Sequence, residues 1–589
     1  AGTTHSRDLK GATRMVTSGA IIELDAAIEM RDGVTLHADI YRPDKEGECP
    51  VILQRTPYDK RTAAAVNILT ALENGYAVIV QDVRGRYRSG GAFDTFVNEA
   101  DDGYDTIEWI AEQAWCNGKV GMVGGSYVGA TQWLAASSKP PHLTAIFPRV
   151  TASDYHEGWT YQGGVFQLGF NVSWGIRLAA GNADHLGREL GLSDQRVTEL
   201  ASTVDDIDSA FWVLPIDQQP YMSAQTSPYF FDWLNHPADD GFWSRIRIED
   251  RHDDIETPAY NLGGWYDIFL MGTLRNYINM RENGGSEKAA RGQKLIIGPW
   301  SHSTIGQSVV GDEDFKHQAT ASGVDLDLLT LRWYDYWLKG EDNGIIDEPP
   351  VKIFVMGENV WRDEAEWPLE RAERTRFYLH SDGRAHSPSE HGVLSVEAPD
   401  EESPDVFLYD PQAPVSTLGG PLCCGGDPLP DGPKNHAEKE ERADILVYST
   451  PELEEAVEVT GPVTVSLWAS TSAADTDFTG MLLDVRPCGC AVNLADGIVR
   501  ARYQDSRKRP QHIDPNLPKR FDIDLVATSN VFKKGHRIRL EISSSNFPRF
   551  ARNLNTGLWA DSDQIAVATN TVFHDARHDS YLELDIVPR

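Results

Sequence analysis

The chain has 589 residues and a formal net charge of −35, because 89 acidic residues outnumber 54 basic ones. This charge argues against nucleic acid or an anionic membrane surface as a partner, since both are themselves negatively charged. No apolar run approaches the roughly 20 residues needed to cross a bilayer, and six cysteines in such a length are no disulfide framework. These features predict a multidomain, cytoplasmic protein with reduced thiols.

The first quarter of the chain alternates short apolar segments with amphipathic ones. They run from about Ile21 to Thr151 and include the segments that begin at Val51, Tyr76 and Val120. Such alternation is typical of a mostly parallel sheet with helices on both faces. The following segment, from about Ala152 to Ile248, is rich in aromatic residues and helix formers. We expect it to form a helical lid.

The strand pattern resumes near Pro258 and changes again beyond Pro349-Pro350. There, short strands such as Val351–Val355, Val463–Ala469 and Ile538–Ser543 follow one another without intervening helices. This texture predicts a β-sandwich, specifically a jelly roll. The expected fold class is therefore α/β. The α/β domain would comprise residues 1–151 and 249–349, with a lid at 152–248 and a jelly roll at 350–589.

A strand–turn–helix segment surrounds Ser126 and reads Val-Gly-Met-Val-Gly-Gly-Ser-Tyr-Val-Gly from Val120 to Gly129. A serine on so tight a turn projects its hydroxyl away from the backbone, as in the nucleophile elbow of α/β-hydrolases. The strict pattern places glycine two residues after the serine. This chain has Val128 there, and Gly129 comes one residue later. The segment therefore predicts Ser126 as a nucleophile, although it matches the strict elbow pattern incompletely.

Two later apolar runs end in polar residues that complete a catalytic set. One run ends at Asp267 and the other at His302, in the chain order serine, acid, histidine that α/β-hydrolases use. His302 would take the proton of Ser126, and Asp267 would hold the imidazole in the required tautomer. The backbone amide of Tyr127 would donate to the oxyanion.

These motifs resemble the cocaine-esterase-like hydrolases of the X-Pro dipeptidyl-peptidase (CocE/NonD) family. The resemblance rests on the segments around Ser126, Asp267 and His302, on Arg55-Thr-Pro-Tyr58-Asp-Lys and on Asp82-Val-Arg-Gly-Arg-Tyr-Arg-Ser-Gly-Gly, and it covers nearly the whole chain. The family also has its glycine third after the serine. The resemblance implies that the Tyr58 hydroxyl is the second oxyanion donor.

The same resemblance implies a substrate pocket. It places Trp159 and Trp174 of the lid, with Phe269, around the acyl group, and it brings Cys423 and Cys424 of the C-terminal domain to the pocket as small thiols. Three aromatic side chains would favour an apolar or aromatic acyl group. Related α-amino acid ester hydrolases carry carboxylates just after the catalytic aspartate, where this chain has Phe269 and Leu270. An α-amino ester is therefore a less favoured substrate.

Each assignment has a structural alternative. Ser126 could be a turn residue, His302 a hydrogen-bonded structural group, Asp267 a helix cap and Tyr58 a packed aromatic. The arginines of the Asp82 segment are interpreted as loop-stabilising donors. Neither Cys423-Cys424 nor Cys488-Gly-Cys490 has the spacing of a zinc site. We expect no metal and no cofactor.

The sequence therefore predicts a serine esterase that acts through an acyl-enzyme on a small-molecule ester, with a homodimer as the candidate assembly. An amidase or acylase, such as one acting on glutaryl-cephalosporins, or an X-Pro peptidase is the alternative of the same chemistry. A noncatalytic protein whose jelly roll binds a carbohydrate or a protein is the alternative of a different class.

Overall fold

The structure is a computed structural model that describes residues 6–7, 13–17, 19–62, 64–202, 207–386, 392–426 and 429–589. The described residues before 365 form sixteen strands: β1 (Ser6–Arg7), β2 (Thr13–Thr17), β3 (Ala20–Glu29), β4 (Thr35–Pro43), β5 (Cys49–Thr56), β6 (Ala77–Asp82), β7 (Cys116–Gly125), β8 (Leu143–Arg149), β9 (Tyr161–Gln162), β10 (Val165–Phe166), β11 (Tyr260–Tyr266), β12 (Lys294–Ser301), β13 (Val309–Val310), β14 (Glu313–Asp314), β15 (Val351–Val355) and β16 (Val360–Glu364).

The α-helices in the described residues all lie in the same part of the chain, and two short 3-10 helices, Lys439–Glu441 and Ala501–Tyr503, lie in the C-terminal region. The α-helices are α1 (Ile68–Glu73), α2 (Glu99–Ala111), α3 (Tyr127–Ser137), α4 (Leu168–Gly181), α5 (Ala183–Leu190), α6 (Asp194–Ser202), α7 (Ile207–Ala210), α8 (Pro228–Asn235), α9 (Gly241–Ser244), α10 (Leu270–Asn283), α11 (Glu287–Arg291) and α12 (Leu326–Tyr334). No helix in the described part of the chain is long and apolar enough to cross a membrane.

Twelve strands form the central sheet, in the order β1-β2-β3-β4-β6-β5-β7-β8-β11-β12-β15-β16. Neighbours from β6 through β15 are parallel, and the strands at both ends are antiparallel. Every residue of β5, β6 and β12 is buried, as expected for strands with helices packed on both faces. The predicted α/β fold is confirmed.

One predicted strand lies in a different sheet. Val351–Val355 was expected among the C-terminal strands, but it is β15 and pairs in parallel with β12, with Val351 opposite Leu295. The Leu295 amide already donates to the Pro350 carbonyl at 2.8 Å, so the chain enters this pairing directly after the two prolines. An apolar strand pattern shows that a strand is buried and does not show which sheet it joins, so the prediction was wrong.

The segment between β8 and β11 is helical, as predicted, and comprises α4 to α9. It also contains the short hairpin β9–β10, whose turn is Gly163-Gly164. A Cβ atom on Gly163 would lie 1.9 Å from the Ile498 carbonyl oxygen, and the Arg500 amide donates to the Gly163 carbonyl at 2.9 Å. The lid hairpin therefore rests directly on the C-terminal domain.

The C-terminal region is built from strands. They are β17 (Glu373–His380), β18 (Gly392–Ser395), β19 (Asp405–Tyr409), β20 (Leu446–Ser449), β21 (Val457–Thr471), β22 (Asp477–Val485), β23 (Ala491–Arg500), β24 (Lys519–Phe532), β25 (Arg537–Ser543), β26 (Ala568–Phe573) and β27 (Tyr581–Val587). Ten of them follow the order β19-β26-β21-β27-β17-β18-β20-β25-β22-β23, and β24 pairs with β21. The predicted β-rich domain is confirmed, and its jelly-roll topology stays a prediction.

Candidate active site

Ser126 sits at a sharp turn between β7 and α3. Its backbone angles are φ 59° and ψ −128°, a conformation that a non-glycine residue rarely adopts and that is strained. The Ser126 amide donates to the Arg149 carbonyl of β8 at 3.0 Å, and the Ser126 carbonyl accepts from the amides of Gly129 and Ala130 at 2.8 and 3.0 Å. These bonds hold the turn, as the elbow prediction requires.

The glycines around Ser126 explain why the strict pattern fails at Val128. Gly124 has φ +139°, and a Cβ atom there would lie 2.1 Å from Cγ1 of Val128. A Cβ atom on Gly129 would lie 2.8 Å from the Thr151 Cβ atom. The close approach of helix and sheet therefore falls at Gly129, and the Val128 side chain fills the space that Gly124 leaves. Glycine is needed third after the serine.

Asp267 and His302 form a buried pair. Nδ1 of His302 lies 2.7 Å from Oδ1 of Asp267, and the two side chains are 12% and 0% exposed. Oδ2 of Asp267 is also buried and has no hydrogen-bond partner within the described residues. An ionised carboxylate in this position orients the ring and stabilises its protonated form.

The sheet brings these residues and Ser126 to one edge. Ser126 follows the last residue of β7, Asp267 follows β11 and His302 follows β12. The strands β7, β8, β11 and β12 are consecutive parallel neighbours, so their carboxyl ends lie at the same edge. Sequence alone predicted this placement at strand ends.

Tyr58 lies two residues beyond β5, and its hydroxyl accepts a hydrogen bond from Nε1 of Trp174 at 3.0 Å. Burial raises the pKa of Tyr58 to about 12, and the hydrogen bond from Trp174, the charge of Arg86 and the hydrogen bond between Tyr58 and Ser126 offset part of that effect. The phenol therefore keeps its proton at neutral pH. Its contact with Ser126 places the hydroxyl beside the predicted nucleophile.

The Tyr127 side chain anchors the start of α3. Its hydroxyl donates to Oε1 of Glu99 at 2.8 Å and accepts from the Phe96 amide at 2.9 Å. Glu99 in turn pairs with Arg55 at 2.8 Å, and both side chains are buried. Breaking one partner of such a buried network is costly, since the other is left without compensation. The network therefore fixes the first residue after the elbow.

The Asp82 segment supports Tyr58, a role that sequence reasoning did not assign in detail. The buried Arg86 guanidinium donates from Nε to the Pro57 carbonyl and from Nη1 to the Leu178 carbonyl of α4, both at 2.7 Å. Oδ1 of Asp82 accepts from the Lys60 amide at 2.8 Å. The residues flanking Tyr58 are thus held from both sides. The interpretation of Arg86 as a loop-stabilising donor is confirmed.

The predicted pocket aromatics form one cluster, to which the lid contributes Trp159 and Trp174 and the segment after β11 contributes Phe269. The rings of Trp159 and Phe269 stack at 4.1 Å between centroids, and Trp159 meets Trp174 edge to face at 5.3 Å. Phe269 in turn meets His302 edge to face at 5.1 Å. Trp159 and Phe269 are fully buried, and 3% of Trp174 is exposed. Sequence reasoning missed Phe170, which stacks on Trp174 at 5.5 Å.

Cys423 and Cys424 differ from the prediction of free thiols, since the structure joins them in a disulfide between adjacent residues. The Cys424 carbonyl accepts from Nε of Arg177 on α4 at 3.1 Å. Both cysteines pack against the apolar cluster that includes Trp174. The pair therefore lies where the C-terminal domain meets α4, in oxidised form, and its place in the substrate pocket stays a prediction. Residue spacing indicates proximity and cannot give an oxidation state.

Two family models match the chain. Residues 32–304 match the X-Pro dipeptidyl-peptidase (S15 family) model, and residues 343–583 match the X-Pro dipeptidyl-peptidase C-terminal non-catalytic domain. The first match contains all three predicted catalytic residues. Together with the sheet order and the elbow, these matches define the class: the chain belongs to the X-Pro dipeptidyl-peptidase (S15) family of α/β-hydrolases.

A relative of known activity shows which kind of hydrolase within this family the chain resembles. The cocaine esterase of Rhodococcus sp. (strain MB1 Bresler) is 38% identical over 587 residues, which cover 98% of this chain and 100% of the esterase. The chain is thus a serine ester hydrolase of that family.

Two solved structures share the fold. An aminopeptidase from the marine sediment archaeon Thaumarchaeota archaeon has a TM-score of 0.79 at 22% sequence identity, and the match covers 100% of this chain and 96% of the aminopeptidase chain. An α-amino acid ester hydrolase has a TM-score of 0.78 at 24% sequence identity, and the match covers 96% of this chain and 97% of the hydrolase chain.

Proposed function

We propose that this hydrolase cleaves carboxylic esters with an apolar or aromatic acyl group through an acyl-enzyme formed on Ser126. His302 is the general base, Asp267 orients it, and the Tyr58 hydroxyl and the Tyr127 amide are the oxyanion donors. The single observation that carries the proposal is the 2.7 Å Asp267–His302 pair at the sheet edge where the strained Ser126 also lies.

The reaction begins when His302 takes the proton of the Ser126 hydroxyl as its oxygen attacks the ester carbonyl. The tetrahedral oxyanion forms between the donors, and the protonated His302, stabilised by Asp267, passes the proton to the departing alcohol. Water then repeats the sequence on the acyl-enzyme and releases the acid. Because Asp267 is buried and bonded to Nδ1, Nε2 is the nitrogen that exchanges protons with substrate.

Trp174 supports the oxyanion role of Tyr58. A phenol has one proton to donate, and the Trp174 indole N–H already occupies an acceptor position on the Tyr58 oxygen at 3.0 Å. The Tyr58 proton is therefore free to point toward Ser126 and the developing oxyanion. Accepting from Trp174 also polarises the O–H bond, which strengthens it as a donor.

The aromatic cluster supports the acyl preference. Phe269 lies against both His302 and Trp159, so any acyl group held beside the imidazole meets ring faces and edges. Such surfaces bind flat apolar groups with large contact area and little entropic cost. Directly after the Asp267 segment, where the resemblance to α-amino acid ester hydrolases would place carboxylates that anchor a substrate ammonium, this chain has Phe269 and Leu270. The homodimer and the cytoplasmic location remain predictions.

A panel of paired p-nitrophenyl esters and p-nitroanilides with shared acyl groups tests the proposal. The expected result is that esters are hydrolysed at least about a hundredfold faster than the matched anilides, with kcat/KM rising from acetyl to benzoyl. Anilides cleaved as fast as esters would instead indicate an amidase. A preference for acetyl over benzoyl would contradict the aromatic pocket.

A further inference from the structure

The hairpin between β22 and β23 carries two cysteines that the esterase chemistry does not use. Cys488 is exposed and Cys490 is partly exposed, whereas the other two free cysteines in the described residues, Cys49 and Cys116, are buried. The sequence between the strands is Arg-Pro-Cys-Gly-Cys, from Arg486 to Cys490. These thiols are the most accessible ones that the structure describes.

The turn holds the two thiols together. The Gly489 amide donates to the Arg486 carbonyl at 2.8 Å, and the Arg486 amide donates to the Cys490 carbonyl at 2.9 Å. Pro487 occupies the second position of this turn, where its fixed φ is favoured, and Gly489 has φ +87°. The left-handed glycine turns the chain back, so that the sulfur atoms of Cys488 and Cys490 lie 2.6 Å apart.

We propose that Cys488 and Cys490 form a thiol–disulfide exchange site, which closes reversibly to an intramolecular disulfide when it meets a low-molecular-weight disulfide. The sulfur atoms are already adjacent within a hydrogen-bonded turn, so closure needs a small movement of two side chains. The hairpin tip is exposed, so a small oxidant reaches it without opening a domain. This inference does not depend on the proposed esterase activity.

The two cysteines have different roles. The thiol of Cys490, its backbone and the charge of Arg486 lower the pKa of Cys488, whereas the hydrogen bond to Cys488 raises the pKa of Cys490. The guanidinium of Arg486 is held in place by an ion pair with Glu313, whose N–O distance is 3.0 Å. A thiolate is the attacking species in exchange, so Cys488 attacks first and Cys490 resolves.

The exchange proceeds in two steps. The Cys488 thiolate attacks one sulfur of the small disulfide, its S–S bond breaks, and one small thiolate leaves as a mixed disulfide forms on Cys488. The Cys490 thiolate then attacks the Cys488 sulfur, and the second small thiolate leaves. Two electrons pass to the small disulfide, and the two cysteine protons end on the two released thiols. A small dithiol reverses both steps.

Oxidised glutathione is a suitable probe of the native full-length protein. After exposure and acid quench, remaining thiols are blocked with N-ethylmaleimide and the peptide with Cys488 and Cys490 is weighed by mass spectrometry. We expect loss of two hydrogens without a glutathione adduct. No reaction, two adducts, or a single adduct that persists on the wild-type peptide would overturn the proposal. The Cys423–Cys424 peptide is measured separately.

Two variants test the assigned roles. Cys490→Ser should trap one glutathione on Cys488, because no second thiol can displace it. Cys488→Ser should gain its adduct on Cys490 more slowly than Cys490→Ser gains its adduct on Cys488, because Cys490 is the less exposed thiol. Equal or faster reaction of Cys488→Ser would contradict Cys488 as the attacking thiol. Buried Cys49 serves as the internal control and should stay unmodified until the protein is unfolded.

Discussion

The sheet edge and the lid hold their side chains by different means. At the edge, Ser126, Asp267 and His302 each follow the last residue of a strand, and the backbone itself sets their positions. In the lid, Trp159 and Trp174 are held by ring contacts with other aromatic side chains. At His302 the edge-to-face approach of Phe269 joins the catalytic edge to the aromatic cluster.

Because the two regions hold their side chains differently, we expect the sheet edge to determine the turnover rate and the aromatic residues to determine which esters are preferred. Residues fixed by backbone tolerate little change, because each has one defined partner or one defined turn. Residues fixed by packing share their role among several rings, so the loss of one is partly compensated by its neighbours. We therefore expect changes at the edge to lower kcat for all esters and changes in the lid to alter which esters are preferred.

The largest effect should come from the edge. Ser126→Ala and His302→Ala should each lower kcat by roughly 10⁵- to 10⁶-fold, and Asp267→Asn by about 10⁴-fold, since the amide would favour the wrong tautomer. Steady-state hydrolysis of a p-nitrophenyl ester measures this. Ser138→Ala, near the other end of α3, is the matched control and should keep normal activity. A His302→Ala variant with near-normal turnover would refute the assignment of the base.

The oxyanion donor comes next and links the two regions. Tyr58→Phe should lower kcat by about 10²- to 10³-fold with little change in KM. Trp174→Phe removes the indole N–H that fixes the Tyr58 hydroxyl and should lower kcat by about tenfold. If Trp174 acts through Tyr58, the double variant should be no slower than Tyr58→Phe alone.

If the losses in kcat of the two single variants instead add up in the double variant, Trp174 acts independently of Tyr58. Trp233→Phe provides the control, because Trp233 stacks on Trp174 at 5.6 Å without the hydrogen bond to Tyr58. It should leave kcat within about threefold of the wild type. A loss as large as that of Trp174→Phe would attribute the effect to packing.

A change in the aromatic cluster formed by Trp159, Trp174 and Phe269 should alter substrate preference more than the turnover rate. Phe269→Leu removes the ring between Trp159 and His302, so kcat/KM for benzoyl esters should fall about tenfold and that for acetyl esters should change less than about threefold. Phe230→Leu is the control, since Phe230 packs against Phe166 and Phe231. Equal losses on both esters would mean that Phe269 serves the catalytic edge alone.

The smallest effect is expected at Asp82, whose titration makes the free energy of unfolding depend on pH. Burial raises the pKa of Asp82 to about 6 from 3.8. The folded state therefore binds the proton more strongly than the unfolded state, and this contribution to stability is present below about pH 4 and lost as pH rises through 6. Relative to Asp82→Asn, the wild type should lose on the order of 1–3 kcal/mol of unfolding free energy over that range.

Urea unfolding of both proteins at several pH values measures this difference. The wild type should be the more sensitive of the two between pH 4 and pH 6. Identical pH dependence of the two proteins would show that Asp82 titrates normally. The hydrogen bonds that Asp82 accepts from the Lys60 and Arg88 amides would then outweigh its burial.

The sequence was most informative where function depends on local backbone. The elbow, the strand ends before Asp267 and His302, and the helical character of the segment between β8 and β11 could all be predicted, because turns and apolar periods act over a few residues. The match at Val128 appeared incomplete because the pattern cannot show that the Val128 side chain occupies the space beside Gly124.

Contacts between distant segments could not be predicted. Strand β15 joins the central sheet through pairing with β12, about fifty residues earlier, and no local pattern encodes that choice. The bonds from Arg86 to Pro57 and Leu178, and from Trp174 to Tyr58, likewise exist only after folding. The disulfide of Cys423 and Cys424 depends on oxidation, which residue types do not specify.

Labelling with a fluorophosphonate, followed by peptide mass spectrometry, directly tests Ser126 as nucleophile and His302 as base. We expect one label per chain, on Ser126, with none in Ser126→Ala and labelling of His302→Ala slowed by at least about a thousandfold. Labelling of a different serine, or undiminished labelling of His302→Ala, would contradict the assignment of nucleophile and base.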